Sequence, residues 1–275
     1  MALLSPRFVS SSELRNASTG AIIRKGAKGR HVHLLQMALI DLGFQMPRST
    51  GGVYSPDGDF GEETKEKVIA FQRANNLSPD GEVGPKTMAV LDAKCRNYKH
   101  RVKVHFRSIS LADVPFERSL RDAETIFGQY AIKFEYANGE SLMLSEAEEQ
   151  RFNTVDGECE WVLDTGEYND LHGMGSFVPA NELSVYFVRR FSDPDLLGCG
   201  GHAANRPACT VAANASRWDT AHEAAHVLLT SNFDPVHVND LRNLMHPTAS
   251  TFATIPVLTD RQITKIRSSV CCTPM

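Results

Sequence analysis

TAHEAAHVLLTSNFDPVH, residues 220–237, places His222 and His226 four apart with Glu223 between them. On a helix, positions i and i+4 project from one face, one turn apart. Both imidazoles can then reach one cation at roughly 2.0–2.1 Å, the zinc–nitrogen length. Glu223 lies one step round the helix, near that cation without needing to bind it, where it can take a proton from water. The alternative is two solvent-facing histidines that match the pattern by coincidence. Two histidines do not complete a catalytic site, which takes three protein ligands and leaves a fourth position to water.

The third ligand must come from beyond the helix. Asn and Asp accept turn dihedrals and Pro235 stops a helix, so the chain is expected to turn across Ser231–Pro235. His237 is the first imidazole after that turn, and Asp234 is the second choice. Of ten histidines, four (His222, His226, His237 and His246) fall in this one window. His246 reads either as a substrate-orienting group or as a surface residue. Asn243-Leu244-Met245 follows, and Met245 is expected as an apolar floor or as ordinary core. Thr259 to Gln262 forms a capping box that opens a last helix.

HEAAH, a later ligand and NLM resemble the metzincin superfamily of zinc metallopeptidases. The resemblance covers about residues 100–270 and rests mostly on the last sixty. It implies a mixed α/β catalytic domain over 100–275, Zn2+ as cofactor, metal ligands His222, His226 and His237, Glu223 as catalytic base, Met245 as structural support, and a peptide or protein substrate. LSVYFVRRF (183–191) with the Gly-rich segment after it resembles that superfamily's edge strand and its connection to the active-site helix. The usual HExxHxxGxxH form is broken, because Leu229 and Asn232 occupy the Gly and third His positions. A structural or degenerate metal site therefore stays open as an alternative.

Upstream, RVKVHFRS (101–108) alternates like a half-buried strand, and IKFEYA (132–137) reads as another. Residues 115–130 have helical spacing with Pro115 near the first turn, and the histidine helix runs over 218–230. Strand, helix and strand in series predict a mixed α/β domain. Residues 138–182, acidic and Gly-rich, carry no clear pattern and read as an insertion shaping the cleft.

The first hundred residues repeat a motif. DGDFGEET (57–64) is echoed by DGEVGPKT (80–87). Asp-Gly makes a tight turn because Gly accepts positive φ, and acidic residues suit the helix start that follows. Val32, Leu35, Ala38, Leu39 and Leu42 step by three and four, predicting a helix over 30–42 ended by Gly43. Val68, Phe71 and Gln72 extend the helix after the first turn, and Met88 and Leu91 lie on the helix after the second. The composite is a small three-helix bundle. With Gly26, Gly29, Gln36, Leu77 and Leu91 it resembles the helical-repeat peptidoglycan-binding domain, over about 22–93, which implies peptidoglycan as a partner. The domain is taken as 21–95, with 1–20 a flexible tail. The same fold serves as the inhibitory propeptide of matrix metalloproteinases, where a cysteine caps the zinc. Here Cys95 follows the bundle but lacks the Arg-Cys-Gly core, so a disulfide or an inert thiol is the favoured reading.

A chain of 275 residues suits two domains. A net charge of −4 without a basic cluster gives no nucleic-acid footprint, and no apolar run has the length for membrane insertion. Six cysteines without CxxC pairs suit an oxidising compartment; Cys199 and Cys209 flank the Gly-rich segment and a bridge between them could staple it. MALLSPRF lacks a basic n-region and its apolar stretch stops at Pro6, so no signal peptide is recognised. The expected location is the periplasm, cell wall or exterior, reached without a recognisable signal peptide: either a leader has been lost from this sequence or the route is leaderless. In that setting the chain would be an antibacterial effector whose further partners are an immunity protein and a secretion machinery.

Overall fold

The computed structural model describes residues 2–51, 56–109 and 116–275. They form two compact units. One comprises Met1–Lys99, Phe127–Ile132 and Thr259–Ile263; the other comprises His100–Ile126, Lys133–Leu258 and Thr264–Met275.

The first unit is helical: α1 (Ser12–Thr19), α2 (Arg30–Asp41), α3 (Glu62–Ala74) and α4 (Pro85–Lys94). Val32, Leu35 and Leu39 of α2, Val68 and Phe71 of α3, and Met88 and Leu91 of α4 share one core. Gly43, at φ +93°, ends the α2 segment. The sequence repeat has an atomic meaning, because each turn is closed by a glutamine from the preceding helix. Gln36 Oε1 accepts from Gly58 N at 2.9 Å. Its Nε2 donates to Asp57 Oδ1 at 2.7 Å and reaches Asp59 O and Thr64 Oγ1, each at 3.1 Å. Gln72 repeats the pattern with Gly81 N at 2.9 Å, Asp80 Oδ1 at 2.8 Å, Glu82 O at 2.9 Å and Thr87 Oγ1 at 3.2 Å. Gly58 and Gly81 sit at φ +69° and +75°, where a side chain would be strained.

Residues 1–20 were expected as a flexible tail, and the structure corrects this. Ser11 caps α1 through Leu14 N, while Leu3, Phe8, Leu14 and Ala17 enter the unit's core. Asp92 Oδ1 accepts from Leu4 N and Ser5 N at 2.8 Å each, and the buried Arg7 pairs with Asp41. Cys95 lies buried in the same core, and burial pushes its thiol up, away from the thiolate a metal ligand needs.

The second unit carries a mixed sheet. Its strands are β1 (His100–Ser108), β2 (Ile132–Ser141), β3 (Leu183–Val188), β4 (Gly198–Cys199), β5 (Ala208–Ala212) and β6 (Thr273–Pro274). The order is β2-β1-β3-β5-β4, with β6 pairing β1. β1 with β3 and β3 with β5 are parallel; β4 with β5 is antiparallel. β3 is buried along its whole length, as a central strand must be. The resemblance of residues 183–191 to an edge strand is thus corrected: the antiparallel edge is β4, within the Gly-rich segment. α5 (Phe116–Phe127) matches the expected helix, while Pro115 lies outside the described residues. Residues 138–182, opaque in sequence, contain α6 (Glu146–Phe152) and α7 (Gly166–His172). α6 opens with a capping box between Ser145 and Glu148 that was legible and missed. The histidine helix is α8 (Asp219–Leu229), and α9 (Asp260–Arg267) opens with Thr259 and Gln262 bonded reciprocally. Among the described residues, no helix is long and apolar enough to cross a membrane.

Candidate metal centre

α8 presents His222, Glu223 and His226 on largely buried positions. Its first turn is fixed by Asp219, whose Oδ2 accepts from Ser216 N at 2.7 Å. The helix ends at Leu229, and Thr230, at φ +66°, turns the chain. The turn therefore opens at Thr230, one residue before the expected Ser231–Pro235 span, and then passes through a cis Asp234–Pro235 bond. It brings His237 back over α8.

Three imidazole nitrogens converge. Nε2 of His226 lies 3.0 Å from that of His222, and Nε2 of His237 lies 3.4 Å and 3.1 Å from those of His222 and His226. Three nitrogens around a tetrahedral ion at roughly 2.0–2.1 Å are about 3.3 Å apart, so the spacing fits a zinc-sized cation. Among the described residues this is the cluster of three such side chains close enough to share an ion, and the exposed Asp234 is not in it. His222 Nδ1 donates to Leu244 O at 2.7 Å. That bond fixes the tautomer and leaves the Nε2 lone pair toward the cluster. The carbonyl sits beside Met245, which is fully buried; Met245 N is held by Asn243 Oδ1 at 2.8 Å and its carbonyl by Val238 N at 3.0 Å. Burial lowers all three imidazoles: His222 to about 4, His226 well below its ordinary value, and the more exposed His237 in the same direction. The positive charge that any of them would gain also opposes protonation of its neighbours. Glu223 is pushed well above the usual carboxylate range by burial, with Asp219 adding to the shift.

Two glycines let the edge strand approach α8. A Cβ at Gly198 would lie 2.4 Å from Glu223 Cγ and 2.6 Å from its Oε1, and one at Gly200 would lie 2.4 Å from His226 Cβ. Sequence reasoning saw only a Gly-rich loop here. The disulfide expectation also needs correction, since the bridge joins Cys159 to Cys199. Cys199 pairs in register with Thr210, which puts the side chain of the next residue, Cys209, on the opposite face of the sheet. Cys209 is a buried free thiol. Beside the bridge, Trp161 sets its ring edge-on to His226 with centroids 5.4 Å apart. Trp161, Glu160, Leu197, Gly200, Val236 and Pro247 help line a cleft of about 430 Å3 that opens onto the three histidines. His246 stands outside that lining, with its Nδ1 accepting from Thr248 N at 3.1 Å.

Residues 28–91 match the model of a family described as "Putative peptidoglycan binding domain". The N-terminal unit thus carries a peptidoglycan-binding domain. The N-acetylmuramoyl-L-alanine amidase CwlL of Bacillus licheniformis is 39% identical over 87 residues, which are 32% of this chain and 23% of that protein. The chain spans 22% and 23% of the length of two such curated relatives. Among solved structures, metalloproteinase-II of Bacteroides fragilis is similar at 11% identity over 62% of this chain and 53% of its own, with a TM-score of 0.38. Archaemetzincin of Methanopyrus kandleri is similar at 14% identity over 61% and 94%, with a TM-score of 0.36.

Proposed function

We propose that this chain is a zinc-dependent hydrolase of peptide bonds, held at bacterial peptidoglycan by its N-terminal unit and working in the cell wall or periplasm. The observation that carries this is the meeting of three imidazole nitrogens beside one buried carboxyl at the end of an open cleft. His222, His226 and His237 would hold the ion, three protein donors being the number that catalytic rather than structural zinc sites use. Zinc, when bound, supplies Lewis-acid polarisation of a carbonyl and activation of a water nucleophile. Glu223, which a cation alongside would return to its ionised form, would take the proton of the attacking water on its carboxylate and hand it to the leaving amine. The Leu244 carbonyl holds His222 in the ligating tautomer, and Met245 closes the floor beneath.

The amidase name of a relative supports an amide of the wall as substrate, while the superfamily resemblance supports protein. Both are amide hydrolyses and use the same residues. Incubating zinc-loaded protein with purified peptidoglycan and with an unstructured protein, and reading products by mass spectrometry, separates them. Glu223→Gln is the control, expected to bind one zinc per chain and to lose at least the roughly 10²-fold that a positioned base contributes. A zinc-bearing wild type that cleaves neither substrate would leave a wall-binding protein with a structural metal site.

A further inference from the structure

The segment around Trp161 belongs to the part of the sequence that carried no pattern, yet it stands against the metal centre. It is anchored at its two ends, and Asp156 adds bonds at the start, its N donating to Glu167 Oε2 at 2.8 Å and its Oδ1 accepting from Ser192 Oγ at 2.7 Å. At its start, Val155 N donates to Arg190 O at 3.1 Å, and Ser192 N donates to Val155 O at 2.9 Å. At its end, Leu163 N donates to His202 O and His202 N to Trp161 O, both at the long distance of 3.3 Å. Residues 156–160 between are exposed. The covalent tie is Cys159–Cys199, which joins this loop to β4, the same strand whose Gly198 lies against Glu223. Gly201 then lets the Glu160 carbonyl pass so close that a Cβ there would lie 1.7 Å from it. The loop is thereby drawn against the start of the Gly-rich segment, and Trp161 reaches the ring of His226. The four other cysteines are buried thiols, and burial pushes each of them up, which makes them poor partners for exchange. Cys159 is the exposed half of the bridge and Cys199 the buried half.

We infer that the Cys159–Cys199 disulfide holds Trp161 as a wall of the substrate cleft, so that the site grips a peptide only while the bridge is oxidised. The inference rests on the metal-centre reading above and adds a specificity-determining residue and a condition on it. Reduction is a two-electron exchange. The thiolate of a cellular thiol attacks the sulfur of Cys159, Cys199 leaves as a thiolate and takes up a proton. A second thiol then displaces Cys159, and the two reductant thiols depart joined as a disulfide. With the bridge open, the end of the loop keeps two long hydrogen bonds and the buried Leu163, and loses its covalent tie to β4. The cation ligands come from α8 and the segment after it, so metal binding does not depend on the tether. In a thiol-rich cytosol the protein would bind its ion and hold peptides weakly; in an oxidising compartment the wall would be in place.

The test uses the full chain loaded with zinc and two probes. Acetohydroxamate reads the ion alone, whereas an acyl-dipeptide hydroxamate reads the ion and the wall. In C159S/C199S, and separately in Trp161→Ala with the bridge intact, we expect one zinc per chain and unchanged acetohydroxamate affinity. Affinity for the peptidyl probe should fall about tenfold or more, and KM should rise more than kcat falls. Hydrogen exchange over residues 156–165 should accelerate in C159S/C199S and stay slow in Trp161→Ala. Equal affinities for the peptidyl probe in wild type and both variants overturn the inference, as does loss of zinc from either variant, because the bridge would then support the ligands. A wild type that takes up no zinc and binds neither hydroxamate sinks the metal-centre reading itself, a result distinct from these.

Discussion

Gly198→Ala is the sharpest probe of where Glu223 stands. The added methyl would sit 2.4 Å from Glu223 Cγ, 2.6 Å from Oε1 and 2.7 Å from Cδ. Carbon atoms settle about 3.5–4.0 Å apart, so the overlap reaches about 1 Å at Cγ and extends to Cδ and Oε1 of the same side chain. Either the edge strand retreats or the carboxylate swings away. Overpacking of this kind costs about 1–3 kcal/mol of stability. The larger effect is on chemistry, since a displacement of about 1 Å in a catalytic group costs on the order of 10²-fold in rate. None of the three closest contacts is a metal ligand, so zinc content should stay at one per chain. Zinc by atomic absorption, thermal unfolding, and kcat on the substrate found by mass spectrometry give the three readings. Gly198→Ala that folds, holds zinc and turns over at the wild-type rate would refute the reasoning, because Glu223 would then not be the base in the position described.

Other outcomes follow from the same structure. His237→Ala should weaken zinc binding by more than the roughly 10–100-fold typical of a lost outer-shell partner, while Asp234→Ala should leave it unchanged; competition with a chromophoric chelator measures both. Gln72→Leu strands the Gly81 N–H inside the second turn and should destabilise the N-terminal unit by about 1–3 kcal/mol in urea titration, whereas exchange of the exposed pair Lys25 and Glu62 should change little. His172, buried with Nε2 on Thr210 Oγ1, is lowered to about 3 by burial and then by the charges of His202 and Arg206. The unfolded chain binds this proton near its ordinary value of about 6.5 and the folded chain does not, so stability is full above that value and falls with pH toward 3. At about pH 4.5 the loss is about 3 kcal/mol, and it should be missing from His172→Gln in chemical denaturation at the two pH values.

What could be read from the sequence was whatever depends on spacing along one element. The i, i+4 histidines, the core stripe of α2 and the duplicated Asp-Gly turns all follow from the helical period and from turn chemistry. The strands at 100–108, 132–141 and 183–188 announced themselves by alternation or by apolar runs. What escaped depends on distance across the chain. α1 is a short helix, and its helical state is decided by burial of Phe8, Leu14 and Ala17 rather than by propensity. Cys199 and Cys209 look like partners by proximity, but strand register sends them to opposite faces. Thr230 turns the chain in a conformation that Gly or Asn would have advertised. The Leu244 carbonyl left no trace in side-chain identity, and Gly198 of β4 and Gly200 just after it gained meaning only beside α8.

The two glutamine clamps of the N-terminal unit have a wider consequence. Each turn is locked from within, by an amide whose oxygen and nitrogen both bond the loop it closes. The outward-facing positions of those loops are therefore released from any duty to folding. Substitutions on that exterior should leave the architecture underneath in place.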